Sequence, residues 1–290
     1  MQMGKRLRGT VAAVCATALA STPLLLSPVG ADASPAATPS RAAVPQITAT
    51  LTKNTIIVKG ADGLRAGRVR MSVKGRGIVE FARFKSGYDI ADFTADVNKF
   101  GAKNDVKALK RAIANTQIIG GFAGGGSGTI VFPRAGAYTP IFVGPRGVVS
   151  GKTLVVRGPR RASSVPRTDG RIIAKNGPSW GGASHLPAKG RFLFKNRGNT
   201  GVPHFVVMQQ VQEGTTVDQV LEYLQRGEEA PPPWGLPAFM DTGSLSPGRS
   251  MTVNYDLPPG QYAVMCFFPD PKMGGMPHAL MGMIKMIHLT

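Results

Sequence analysis

The chain has 290 residues, 42% of them hydrophobic, with 35 Lys and Arg against 16 Asp and Glu, giving a formal charge of +19. That much apolar material supports a sizeable core and excludes a disordered polycation, while the basic excess selects anionic partners. Only two cysteines are present, Cys15 and Cys266, so a disulfide-stapled scaffold is excluded as well.

The chain opens MQMGKRLRGTVAAVCATALASTPLLLSPVGADASPAATP. Lys5, Arg6 and Arg8 precede an apolar run from Val11 to Leu26, and Ala31-Asp32-Ala33 gives a small-x-small pattern. The run is short and broken by Pro23, which reads as a secretory signal peptide over residues 1–33, cleaved near Ala33, rather than a membrane span. Export is therefore the expected localisation, and nucleic acid is not an expected partner. Residues 34–44 read as a flexible lead. Once Cys15 is removed, Cys266 has no partner in its own chain. It is then a free thiol, an intermolecular bridge, a metal ligand or a small core residue.

Two segments beyond the lead can be laid over each other. AGRVRMSVKGRGIVEFARFKSGYDIADF (66–93) corresponds to KGRFLFKNRGNTGVPHFVVMQQVQEGTTVDQV (189–220), and SGTIVFPRAGAYTPIF (127–142) to GRSMTVNYDLPPGQYAVMCFF (248–268). Gly67 pairs with Gly190, Gly136 with Gly260 and Tyr138 with Tyr262, a steady offset of about 123 residues that marks a duplication. Val69, Met71 and Val73 alternate with Arg68, Arg70, Ser72 and Lys74, and Val253, Tyr255 and Leu257 with Thr252, Asn254 and Asp256. Both are the period of half-buried strands. One helix is expected in each copy. In the first, Asp105 caps a run carrying Val106, Leu109 and Ile113. In the second, Thr216 and Gln219 form a capping box before Val217, Val220, Leu221 and Leu224. GGFAGGGSGT (120–129) reads as a flexible turn. The basic residues Lys152, Arg157, Arg160, Arg161, Arg167, Arg171 and Lys175 fall in a Pro/Gly/Ser-rich stretch. It reads first as a solvated linker, and second as a tract for an anionic cell-wall or membrane surface.

In the second copy, NRGNTGVPHFVV (196–207) resembles the first-histidine strand of the cupredoxins, the blue-copper family that includes plastocyanin. LSPGRSMTVNYDLPPGQYAVMCFF resembles that family's penultimate strands, and PHALMGMIKM (277–286) its PHxxxxM element. The resemblance implies an all-β fold of two tandem cupredoxin-like Greek-key β-sandwich domains, each with a short helical insertion. Residues 45–160 are then a degenerate domain without metal ligands and residues 161–290 the domain with the candidate copper site. It also implies one copper ion held by His204, Cys266, His278 and Met283, serving one-electron transfer with a redox partner protein or copper handling, in a protein that is not an enzyme. Two imidazoles, a thiolate and a long thioether suit copper in both oxidation states. The sequence departs from the family where eleven residues, FFPDPKMGGMP, separate Cys266 from His278.

By the repeat offset, Glu80 stands where His204 does and Phe142 where Cys266 does, so the first copy lacks the donor set. Nine of the 12 methionines lie between Met208 and Met286. Met251, Met265 and Met286 sit in strand patterns and read as core, whereas Met273 and Met276 are candidate soft auxiliary ligands for Cu(I) capture. The other alternative is a metal-free scaffold gripping an anionic surface. GVVSGKT (147–153) fails as a phosphate loop because Arg146 stands where a glycine is required. His185 reads as a solvated loop residue.

Overall fold

The computed structural model describes residues 43–227 and 231–290. The expected signal peptide and nearly all of the expected lead lie outside them. Residues 46–156 contribute β1 (Gln46–Leu51), β2 (Ile56–Lys59), β3 (Gly67–Lys74), β4 (Ile78–Phe84), β5 (Thr116–Ala123), β6 (Ser127–Phe132), β7 (Gly136–Gly144), β8 (Gly147–Ser150) and β9 (Leu154–Val156). Residues 170–289 contribute β10 (Gly170–Ala174), β11 (Trp180–Gly182), β12 (His185–Leu186), β13 (Lys189–Asn196), β14 (Val207–Val211), β15 (Gly235–Asp241), β16 (Ser250–Asp256), β17 (Gly260–Met265), β18 (Pro269–Asp270), β19 (Met276–Pro277) and β20 (Ile284–Leu289). The expected all-β sandwich class is what the structure has.

One face of the sandwich is an eight-stranded sheet ordered β11-β10-β13-β16-β6-β3-β1-β2. Read outward from its centre, β6-β3-β1-β2 and β16-β13-β10-β11 follow the same plan. In each, the third strand pairs parallel and the fourth antiparallel. The centre is the β6–β16 ladder, where Thr129 faces Thr252, its own repeat equivalent, and their hydroxyls lie 2.7 Å apart in the interior. The expected boundary at residues 160–161 falls between β9 and β10, and the halves on either side share this sheet. Two smaller sheets, β5-β4-β7-β8 with β9 on β7, and β12-β20-β17-β14-β15, form the other layer. The main core runs between the layers, drawing Phe81, Phe132 and Tyr138 from one half and Phe192, Phe194 and Tyr262 from the other.

The repeat extends to details. Gly136 and Gly260 open β7 and β17 with φ of 144° and 134°, a region favouring glycine. Two residues on, Tyr138 donates to the Arg134 carbonyl at 2.9 Å and Tyr262 to the Pro258 carbonyl at 2.8 Å. Such a buried tyrosine satisfies its hydroxyl while its ring fills the core.

Three expectations need correction. First, residues 66–123 contain two helices, α1 (Ile90–Lys103) and α2 (Val106–Asn115), rather than one. Asp89 and Asp92 form a reciprocal capping box at the start of α1, Asn104 ends it with φ 49°, and Asp105 starts α2 as expected. Asp96 on α1 locks the pair, accepting from Arg111 at 2.6 Å and from the Tyr88 hydroxyl at 3.1 Å. The third helix, α3 (Val217–Arg226), starts at the expected Thr216–Gln219 box.

Second, Arg68 and Thr252, assigned by alternation to solvent, are buried. Both lie near the β6–β16 join, where Arg68 also reaches Thr129. The chain past β9 runs along the same face, its Arg161 N–H bonding the Ala66 carbonyl and Pro166 lining a cleft with Thr129. The basic side chains of that tract are exposed. Third, GGFAGGGSGT is not all turn. Gly120–Ala123 complete β5, because a side chain at Gly121 would collide with the Val79 carbonyl across the ladder. Among the described residues, no helix is long and apolar enough to cross a membrane.

Candidate metal centre

His204, Cys266 and His278 come from three separate pieces of chain. His204 lies in the irregular approach to β14, where its backbone exchanges hydrogen bonds with Leu245 at 3.1 and 2.7 Å. Asn196, fully buried at the end of β13, shapes that approach. Its amide donates to the carbonyls of Val202 and Leu245 at 3.2 and 2.8 Å, and its oxygen accepts from the Gly198 N–H at 2.9 Å. Nothing in the sequence pattern marks Asn196 for this task, because both carbonyls belong to irregular chain.

Cys266 follows β17 directly, and its side chain is wholly buried. The eleven residues after it fold as a hairpin, with β18 and β19 pairing Pro269 to Pro277 and Asp270 to Met276. The hairpin returns the chain to its starting point: the His278 N–H bonds the Phe268 carbonyl at 3.1 Å and the Ala279 N–H the Cys266 carbonyl at 2.6 Å. The extra length is thereby looped out, and His278 stands next to Cys266 despite the long spacing.

The three side chains converge. Cys266 Sγ lies 3.7 Å from His204 Nδ1 and 3.6 Å from His278 Nδ1. One donor atom from each falls within 4.8 Å of the others, and all three residues are buried. A first-row ion with sulfur at about 2.3 Å and nitrogen at about 2.0 Å in a trigonal plane needs sulfur–nitrogen separations of about 3.7 Å. The donor set therefore fits a single ion. The imidazole centroids are 4.5 Å apart.

Burial sets the protonation states. It lowers the His204 pKa to about 3, helped by the neighbouring His278, so the ring is neutral and its lone pair available. His278 is also lowered by burial, against the opposing pull of Asp270. Burial pushes the Cys266 thiol up to about 12, while the backbone N–H groups of Phe205 and Phe268 pull the other way. A thiol so buried ionises only when a cation compensates it, and those two N–H groups already favour the anionic sulfur.

Asp270 was missed by the sequence reading. Its carboxylate stands 3.6 Å from His278 Nε2, the ring nitrogen facing away from Cys266. The carboxylate stands on the side from which metal-ligating imidazoles are commonly oriented, at ion-pair distance. The signal was available, since Asp270 is the sole acid in the inserted loop, but its direction depends on the hairpin.

Met283 is fully buried in the same core as Cys266, with its N–H on the His278 carbonyl and its own carbonyl accepting from the Trp180 indole at 3.1 Å. Met273 and Met276 are 50% and 41% exposed on the hairpin. Met251 and Met265 are core residues, as expected, and Met286 packs against the core. His185 is exposed in β12, its ring stacked on His288 at 5.6 Å. At the repeat-equivalent position, Glu80 is buried and accepts from the Ser244 N–H at 2.6 Å.

No protein-family model matches the chain, and no curated protein matches it. Among solved structures, it is similar to auracyanin B at 28% identity over 41% of this chain and 86% of that one, with a TM-score of 0.27. Reduced auracyanin from the photosynthetic bacterium Roseiflexus castenholzii is 20% identical over 41% of this chain and 94% of that one, with a TM-score of 0.25. A multicopper oxidase is 13% identical over 84% and 88%, also with a TM-score of 0.25.

Proposed function

We propose that this protein is an exported, duplicated cupredoxin-like electron carrier whose C-terminal half holds one copper ion through His204, Cys266 and His278, with Met283 as the weak fourth donor. The observation that carries this reading is the meeting of one sulfur and two imidazole nitrogens, all buried, at separations one ion can span. Zinc structural sites favour four strong donors in a tetrahedron, whereas two histidines, one cysteine and a thioether match copper. Copper bound there would supply a one-electron couple.

The chain's own residues supply the rest. His204 and His278 present neutral nitrogens without first losing a proton, and Cys266 gives up its thiol proton on metal uptake. The Asp270 carboxylate faces the His278 ring and the Leu245 backbone holds the His204 backbone, limiting rearrangement when the charge of the site changes. The basic surface favours an acidic redox partner or an anionic cell-wall or membrane surface. The N-terminal half, with Glu80 and Phe142 at the corresponding positions, contributes support rather than a second metal.

The test is a Cu(II) titration followed by visible absorption, with the Cys266→Ser variant alongside. An intense thiolate-to-copper charge-transfer band, saturating at one equivalent and missing in the variant, is expected. A colourless protein would overturn the reading and leave Cys266 as a core residue.

A further inference from the structure

A cavity of about 310 Å³ lies between the helical insertion of the N-terminal half and the loops that carry the metal donors. Phe93 and Val97 of α1 and Leu109 of α2 wall one side, and Phe205 and Phe268, each next in sequence or nearly so to a donor, contribute to the other. Such a volume is at the lower end for small-molecule sites, about 300 Å³, and twice the size of apolar voids that stay dry.

Its lining holds one ionisable side chain, Glu80. Among the described residues only Ser244 donates to that carboxylate, and no Lys, Arg or His lines the cavity. In a chain of formal charge +19, this is a buried acid without a counter-ion. A second polar atom in the lining, the Thr116 hydroxyl, is buried and has no hydrogen-bond partner. Across the β4–β5 ladder Glu80 faces Gly121 while Thr116 faces Phe84, so the two polar groups sit toward opposite ends of the site. A carboxyl group is almost never fully buried in a native protein without a charged partner, and Glu80 facing an apolar cavity with none points to an absent cation.

We infer that this cavity is a binding site for a compact apolar amine, its ammonium group paired with Glu80 and its hydrocarbon body among the phenylalanines of the helices and donor loops. An ammonium supplies the positive charge and the donors that the lining lacks, and an aromatic or branched body matches the apolar walls. Burial raises the Glu80 pKa to about 7, consistent with a carboxylate that lacks a cation. The site is distinct from the metal centre and does not depend on the copper reading.

Calorimetric titration of the whole protein with 2-phenylethylamine, 2-phenylethanol and 3-phenylpropanoate at pH 8, with and without copper, tests the inference. The amine should bind at least tenfold more tightly than the alcohol, and the acid should not bind, in both metal states. Glu80→Gln should remove the preference for the amine while retaining the alcohol. Val97→Phe, which fills the cavity and leaves Glu80 in place, should abolish amine binding even if the Gln variant folds poorly. Equal binding of amine and acid, or amine binding unaffected by Val97→Phe, would overturn the assignment.

Discussion

Replacing Glu80 with Gln should change how stability depends on pH. In the folded protein the carboxyl titrates at about 7, against an ordinary value of 4.5. Below pH 4.5 both folded and unfolded chains carry the proton, and the stabilising contribution of the neutral, buried acid is fully present. Between 4.5 and 7 the unfolded chain has lost its proton while the folded chain keeps it, so stability falls as pH rises. Above 7 both are ionised and the contribution is gone. At about 1.4 kcal/mol per pH unit, the loss across the window is about 3 kcal/mol. Gln carries no titrating group, yet its carbonyl can still accept from the Ser244 N–H. Urea unfolding of both proteins in metal-free buffer from pH 4.5 to 8 measures the difference. The variant should gain about 3 kcal/mol on the parent over that range. His204, held to about 3 by burial, destabilises both proteins alike as pH falls below its ordinary value of 6.5, and cancels in the difference. Parallel stability profiles would refute the reasoning, because Glu80 would then titrate at an ordinary value in a wet site.

The hydroxyl pair at the sheet's centre should show the asymmetry of buried hydrogen bonds. Thr252→Val alone should cost about 1–3 kcal/mol by leaving the Thr129 hydroxyl only its longer 3.4 Å contact with Arg68, and adding Thr129→Val should return part of that loss, less what Arg68 forfeits, which a double-mutant cycle in urea would measure. Two glycines should respond to Ala with opposite signs. Gly243→Ala places a methyl about 2.8–3.0 Å from the Gly121 backbone and should cost about 1–3 kcal/mol by overpacking, whereas Gly101→Ala, in open space within α1, should gain about 0.5–1 kcal/mol; thermal unfolding reads both.

What the sequence makes legible is local. The alternation from Val69 to Val73 gives β3, Asp105 and the Thr216–Gln219 box place two helix starts, and the glycine–tyrosine pairs mark the repeat, because each feature is encoded within a few residues. The meeting of His204, Cys266 and His278 is implied by the order of their motifs, but the spacing to His278 leaves it open until the β18–β19 hairpin is seen. Asp270 beside His278, Asn196 behind His204, and the buried Thr129–Thr252 pair are products of long-range pairing. The last joins residues 123 apart and turns a position of polar alternation into an interior one. The capping signals of α1, Asp89 and Asp92, correspond in the alignment of 66–93 with 189–220 to the Thr216–Gln219 box that starts α3, but Asp105 offers a second cap just downstream and one cap per copy suffices for one helix.

The segment from Thr242 to Ser246 ties the candidate metal centre to the half that lacks its donor set. On one side it holds the donor strand: the Thr242 N–H bonds the Val206 carbonyl, the Thr242 hydroxyl accepts from the Val206 N–H, and Leu245 exchanges both backbone bonds with His204. On the other side it is stitched to the N-terminal half, where the Gly243 N–H bonds Gly121, the Ser246 N–H bonds Ile118, the Ser246 hydroxyl accepts from Ile118, and the Ser244 N–H bonds Glu80. The strip lies so close to β5 that a side chain at Gly243 would meet the Gly121 backbone, and Gly121 is itself closed on its other side by the Val79–Glu80 backbone of β4. His204 and its repeat counterpart Glu80 thus grip one strip of chain from opposite sides. A donor held only by its own loop would be free to shift when the charge of the site changes, whereas this one is tied through the strip to β4 and β5 of the other half. Precise placement of a site by supporting residues is what keeps its geometry fixed, and here half of that support comes from the copy that has no donor set of its own.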